Sequence, residues 1–409
     1  MHHHPFILKN HVVASFIPHG STADSASNSS SSNSMSDDTS EYIFDLVWSP
    51  YQQQCIIASV SDHSLLTVDS NHFAITSKGK GHRGRINSIE CCMDSTNLLL
   101  SASNDKNVFL WDLRVFTGPV SKIPHDDEVL GVSSGMNGVL ASSCNSSIFF
   151  YDMRFLTHNH SLSTATTTTG SCSGGSNKRP CQTIAEYSDV HSDVITHLKF
   201  HPVHRNILHS ASEDGLICTY DVTVSESEDA VTSILNTECP IARFGFFGAN
   251  LEGVYSISTV ETMSCWHYPS AQRLSCFSTI REEFNLDYLV DCFTINNDYG
   301  NSCSELYLLG GNSDGMGSII KVDPTACTLV NTIHHQEYGH GANIRCCSIQ
   351  YNGNGTCLVT GGEDSRICRW VVCEEGGGNP DMNQATLHSG TLKAKTADLS
   401  RNSLHHRPY

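Results

Sequence analysis

The chain has 409 residues, enough for two or three ordinary domains or for one large repeat architecture with a continuous core. Its 42 Asp and Glu outnumber 24 Lys and Arg, giving a net charge of −18, which argues against a duplex-DNA binder, because phosphate contacts need a dominant basic face. The 18 cysteines include no C-x-x-C pair, and most stand in apolar, strand-like runs (Cys55, Cys91, Cys218, Cys265, Cys368), so packing is expected of them rather than metal or dithiol chemistry.

In chain order, the first element is a strand-like run, PFILKNHVVASFI (5–17), within residues 1–20. These residues lack the charged and apolar regions of a secretory leader, and no apolar run approaches a membrane span. An intracellular, reducing location is expected, with nothing to separate nucleus from cytoplasm. Residues 21–40, STADSASNSSSSNSMSDDTS, read as a disordered Ser-rich linker. From 41 to 373, short alternating or apolar runs are bounded by Gly, Asn, Asp and Ser, with no long helical period. That pattern is all-β. A Ser/Thr-rich insertion at about 156–180 interrupts it, and residues 374–409, opening EEGGGNP, read as a disordered tail.

Within 41–373, three segments align without gaps: LLLSASNDKNVFLWD (98–112), ILHSASEDGLICTYD (207–221) and CLVTGGEDSRICRWV (357–371). In each, a hydroxyl stands four residues before an Asp and an aromatic six after it: Ser101/Asp105/Trp111, Ser210/Asp214/Tyr220 and Thr360/Asp364/Trp370. Upstream stand His82, His191 and His340. The types and spacing predict a buried relay: the Asp accepts from the His ring, the ring meets the hydroxyl, and the hydroxyl accepts from the aromatic N–H or O–H. Left unpaired, each buried polar group would cost about 1–3 kcal/mol.

Degenerate copies fill the gaps. Asp62 is kept in 56–69, Tyr151 in 138–152 with Asn145 in place of the Asp, and Ser256 and Trp266 in 253–268 with Val260 in that place. In 306–323, Asp314 is kept in a turn read as about two residues longer. The seven units begin near residues 43, 82, 125, 191, 239, 286 and 340. With this Gly-His and Trp-Asp punctuation the chain resembles the WD-repeat propellers, over roughly residues 41–373. The expected fold is an all-β, seven-bladed propeller, monomeric and without cofactor or metal. The last unit supplies only three strands before Cys373, so the run at 5–17 is expected to pair with 343–373 and close the ring.

The resemblance implies a non-catalytic scaffold that binds proteins. Two elements point further. WDLR and YDMR place Asp112 and Arg114, and Asp152 and Arg154, at matching offsets in consecutive repeats, hence on one rim of the disc. WD-repeat substrate receptors of the cullin-4 RING ubiquitin ligases resemble this arrangement, and there such pairs contact the ligase adaptor. Arginine suits the task because its planar fork grips two acceptors at once. The alternative is that the pairs serve only local structure. KGKGHRGR (78–85) raises an RNA-associated reading, weakened by the absence of interleaved aromatics. GNSDG (311–315) matches a hydrolase nucleophile elbow around Ser313 as a string, but falls where the other repeats carry a β-turn. The pairs Cys91-Cys92 and Cys346-Cys347 are read as equivalent packing positions on the first strand of their repeats.

Overall fold

The computed structural model describes residues 7–16, 41–49, 55–70, 72–95, 97–157, 183–296, 304–334, 339–352 and 355–373. The Ser-rich linker, the tail after Cys373 and nearly all of the insertion lie outside them.

Strand β1 (Ile7–Phe16) precedes the first blade. Blade one is β2 (Ile43–Trp48), β3 (Cys55–Val60), β4 (Ser64–Asp69) and β5 (Ala74–Lys80). Blade two is β6 (Ile86–Cys91), β7 (Leu98–Ser103), β8 (Asn107–Asp112) and β9 (Ser121–Pro124). Blade three is β10 (Val129–Ser134), β11 (Val139–Cys144), β12 (Ser147–Asp152) and β13 (Thr183–Tyr187), with helix α1 (Met153–Thr157) after its third strand. Blade four is β14 (Ile195–Phe200), β15 (Ile207–Ser212), β16 (Leu216–Asp221) and β17 (Val231–Asn236). Blade five is β18 (Ile241–Phe247), β19 (Gly253–Ser258), β20 (Met263–His267) and β21 (Gln272–Phe277). Blade six is β22 (Tyr288–Asn296), β23 (Ser304–Gly311), β24 (Gly317–Val322) and β25 (Cys327–Ile333). Blade seven takes β26 (Ile344–Asn352), β27 (Gly355–Gly362) and β28 (Ile367–Cys373) from the end of the chain, and its fourth strand is β1.

All seven sheets are antiparallel meanders of four strands. The closing pair runs from Ile7 against Cys373 to Phe16 against Ile367, with two irregularities in register. The ring is thus closed by its first strand, as the three-strand last unit predicts.

Burial follows position in the blade. The middle strands are covered on both faces, so β7 (LLLSAS) is buried from its second residue on, whereas the outer β17 (VTSILN) alternates exposed and covered. The core lies between blades. Ile57 and Leu65 of blade one pack with Ile86, Leu99 and Trp111 of blade two. Ile43 and Leu66 meet Cys346, Val359 and Ile367 of blade seven. Each fully buried Leu or Ile is worth about 1.5–3 kcal/mol relative to exposure, so neighbouring blades hold one another in place.

The turn between second and third strands has one shape in six blades. Ala102 pairs Val108 around Asp105, Ala211 pairs Ile217 around Asp214, and Gly361 pairs Ile367 around Asp364. Gly311 pairs Gly317 around Asp314 in the same register. The longer turn expected in blade six is therefore corrected: Gly310 and Ile320 occupy the hydroxyl and aromatic positions there and leave no landmark to count from. Ser59 pairs Leu65 around Asp62, and Ile257 pairs Met263 around Val260. The residue after each centre has positive φ: His63 65°, Lys106 68°, Gly215 80°, Glu261 63°, Gly315 83° and Ser365 62°. In blade three Cys144 pairs Ser147, leaving only Asn145 and Ser146 between strands.

The cysteine pairs also need correcting. Cys91 ends β6, opposite Leu99, while Cys346 lies near the start of β26, opposite Gly361. They are not equivalent positions. The packing role still fits, because burial pushes the thiols of Cys91 and Cys218 up to about 12. No helix among the described residues is long and apolar enough to cross a membrane.

Candidate functional site

Antiparallel pairing gives the disc two distinct faces. The first strand of each blade starts at the upper face, which also carries the turns between second and third strands. The third strands end at the lower face.

On the upper face, the relay residues of three blades come together. In blade two, His82 Nδ1 lies 2.9 Å from Asp105 Oδ2 and Nε2 lies 2.7 Å from Ser101 Oγ, which accepts from Trp111 Nε1 at 2.8 Å. In blade four, His191 meets Asp214 at 2.9 Å and Ser210 at 2.6 Å, with Tyr220 OH 3.1 Å from Ser210 Oγ. In blade seven, His340 meets Asp364 at 3.0 Å and Thr360 at 2.8 Å, and Trp370 donates to Thr360 at 2.9 Å.

Chemistry sets the direction of the protons. An ionised carboxylate only accepts, so the ring donates from Nδ1, and Nε2 accepts the hydroxyl proton. The hydroxyl oxygen then accepts from the aromatic. This requires a neutral ring. Burial, against the opposing pull of the Asp partner, holds His82 and His191 below the ordinary histidine value. Burial works to raise the Asp105 carboxyl, but the Arg83 N–H, His82 and Asn107 outweigh it and hold it low. Each Asp also ties the loop leading into its blade to its own turn. Asp214 accepts from Ser192 N at 3.0 Å and Leu216 N at 2.9 Å, and Asp364 from Gly341 N at 2.9 Å and Arg366 N at 3.1 Å.

A partial fourth relay escapes sequence alignment. In blade three, His125 Nε2 lies 2.8 Å from Ser142 Oγ and 3.3 Å from Tyr151 OH, while Nδ1 is buried without a partner. The signal was available: His125 precedes β10 by four residues, as His82 precedes β6. The two-residue turn shifts the hydroxyl out of alignment. In blade five, Val260 replaces the Asp, and the Trp266 indole nitrogen is buried without a partner.

On the lower face, the two Asp-x-Arg elements share one geometry. Arg114 Nε approaches Asp112 Oδ1 and Oδ2 at 3.0 and 3.2 Å, and Nη2 approaches Oδ2 at 2.6 Å. Arg154 meets Asp152 at 2.9, 3.0 and 2.5 Å. The backbone N–H of each Arg also donates to its Asp at 2.9 Å, closing a tight Asx turn. The carboxyls of Asp112 and Asp152 are held low, chiefly by these arginine hydrogen bonds. Both arginine side chains remain largely exposed, 66% and 71%. Beside them, Asp94 of blade two ties to Arg205 of blade four at 2.6 Å and accepts from Gly138 N of blade three at 3.3 Å.

Two other candidates find different settings. Ser313 sits in the blade-six turn, its N–H donating to Asp287 at 2.7 Å, and a strand rather than a helix follows. The strand-turn-helix context of a nucleophile elbow is absent there. In the 78–85 stretch, Lys78 pairs with Asp62 at 2.7 Å, His82 is taken by the relay, and Gly79 and Gly81 lie against Trp111. Lys80, Arg83 and Arg85 of that stretch remain exposed. Among the described residues, no group of three or more His, Cys, Asp or Glu is placed to hold a metal ion.

Comparison with known proteins agrees with this geometry. The family model described as WD domain, G-beta repeat matches residues 74–112, 181–221 and 328–370, the stretches that hold the three complete relays. The chain is similar to a WD repeat-containing protein 89 homolog of Dictyostelium discoideum, 28% identical over 92% of this chain and 94% of that protein. It is similar to WD repeat-containing protein GTS1 of Arabidopsis thaliana, 24% identical over 90% of each chain. Histone acetyltransferase type B subunit 2 of Debaryomyces hansenii is 25% identical over 46% of this chain and 43% of its own. Seven blades, three complete relays and these relatives make one case: the chain carries WD repeats and folds as a seven-bladed β-propeller similar to the WD-repeat proteins.

Proposed function

We propose that the protein is a non-catalytic, intracellular scaffold that docks partner proteins on its faces, and that the Asp112/Arg114 and Asp152/Arg154 pairs receive the adaptor of a cullin-4 RING ubiquitin ligase. The observation that carries this reading is the repetition of one chelated Asp-x-Arg turn on consecutive blades with both guanidinium groups exposed. An arginine already held by its own Asp loses little side-chain freedom on binding, and both of these side chains are largely exposed to an incoming carbonyl or carboxylate. Fourteen cysteines of the described blades are mostly buried and form no disulfide, which supports a reducing compartment.

The test is affinity purification of the parent and of Arg114→Ala/Arg154→Ala with mass spectrometry. Loss of ligase adaptor from the double variant, with its thermal melt unchanged, supports the reading. Equal recovery of adaptor from both, or none from either, rejects the ligase role and leaves the general scaffold.

A further inference from the structure

The lower face carries the Asp-x-Arg pairs; the upper face has a recognition feature of its own. The seven first strands surround a cavity of about 970 Å³ along the axis, lined by residues including Phe44, Asp45, Arg85, Glu213, Arg243 and Asp291. Three arginines from three blades gather at its upper mouth. Arg243 of blade five donates to the Arg345 carbonyl oxygen of blade seven at 3.4 Å, and Arg85 leads into blade two. Two of them are answered by carboxylates: Arg243 has Asp291 at 3.8 Å, and Arg345 Nε donates to Glu363 at 2.6 Å.

Arg85 is different. Its guanidinium stacks 4.6 Å from the centroid of the Phe44 ring, and among the described residues it has no carboxylate partner. Partial enclosure in the mouth, and then the charges of Arg345 and Arg243, push it below the usual arginine value. An exposed cation held in place by an aromatic face, with only like charges to balance, is a preorganised anion-binding group. The setting is also polarised. Lys80, Arg83, Arg85 and Arg345 are exposed on one side of this face, whereas Asp126, Glu128, Asp189, Asp193 and Glu213 are exposed around blades three and four. In a chain of net charge −18 this basic sector runs against the overall balance.

We propose that the upper mouth docks an acidic segment of a partner protein, with an anionic side chain anchored on Arg85 and the segment running toward blades three and four, where its basic residues meet the acidic loops. The cavity receives the anchoring side chain, and the two charged sectors set the direction of the segment.

The experiment is fluorescence polarisation with the full-length protein and three labelled probes: a peptide with a glutamate-rich half and a lysine-rich half, its phosphoserine counterpart, and oligouridylate RNA. Arg85→Glu is compared with the parent and with Lys122→Glu, an equal change of charge on the outer strand of blade two. At least one peptide is expected to bind the parent, to weaken about tenfold or more with Arg85→Glu, and to be unmoved by Lys122→Glu. The tighter peptide identifies carboxylate or phosphate as the anchor. Peptide binding absent in the parent, unchanged in Arg85→Glu, or equally weakened in both variants overturns the proposal, as does binding of the RNA alone. Arg85 is exposed, and a melting curve for each variant shows that the fold is kept. These outcomes do not depend on the lower-face arginines, so the two readings stand or fall separately.

Discussion

Trp111 donates its indole N–H to Ser101 Oγ at 2.8 Å, whereas Trp266, the same residue type at the same place in blade five, has a buried indole nitrogen without a partner. The contrast isolates the hydrogen bond from the packing. Trp111→Phe and Trp266→Phe both shrink a buried ring, but only the first removes a bond. Urea unfolding is expected to show Trp111→Phe as the more destabilising by about 1 kcal/mol. Asp105→Ala, Asp214→Ala and Asp364→Ala should each cost about 1–3 kcal/mol, because the relay loses its acceptor and two loops lose their tie. Equal costs for the two tryptophans would show that the relay adds nothing beyond packing.

His209 predicts an acid sensitivity. The ring is fully buried between Phe246 and Tyr268, both nitrogens lack partners, and burial, then the nearby His201, lowers its pKa to about 3. A histidine kept neutral by folding contributes stability that is full above its unfolded value of about 6.5 and is lost as pH falls toward its folded value. From pH 7 to pH 5, His209 should therefore remove about 2 kcal/mol. His209→Leu is expected to flatten that part of the stability–pH curve in chemical denaturation. Parallel curves for parent and variant would refute the assignment.

The shared turn predicts opposite outcomes at two equivalent sites. Lys106 has φ 68° and a side chain making only exposed contacts to Asp126 and Asp127. Lys106→Gly relieves left-handed backbone and should stabilise by about 0.5 kcal/mol once those surface contacts are lost. Gly215 has φ 80°, and an added Cβ would stand 3.2 Å from the Cys239 backbone N and O. Gly215→Ala should destabilise by about 1–2 kcal/mol. Thermal melts of the two variants moving in the same direction would contradict the common turn.

Deleting residues 1–20 removes β1 and exposes the backbone edge of β28. The truncated protein should melt lower and self-associate with rising concentration in size-exclusion chromatography with light scattering. A synthetic 5–17 peptide should reverse both effects. A truncated protein as stable and monomeric as the parent would mean that the closing pair contributes little.

Much of this was legible in the chain because the relay leaves four landmarks in each of three blades, with hydroxyl, Asp and aromatic at constant spacing. Ser101, Asp105 and Trp111 announce both a turn and a buried polar column, and the three-strand last unit announces a missing edge. Legibility failed where landmarks were lost. Gly310 and Ile320 hid the ordinary turn around Asp314, and the two-residue turn at Asn145 hid Ser142. The arginine mouth was invisible for another reason: Arg243 and Arg345 are 102 residues apart, and only radial closure brings them beside Arg85.

Closure by β1 also orders events in time. β1 is made before its mate β28, so the ring stays unsealed until the three strands of the last blade have followed. Any premature stop before Ile367 strands β1 without a mate, and the nascent protein must keep that segment soluble until the final blade emerges. Sealing of the ring waits on that last pairing of strands.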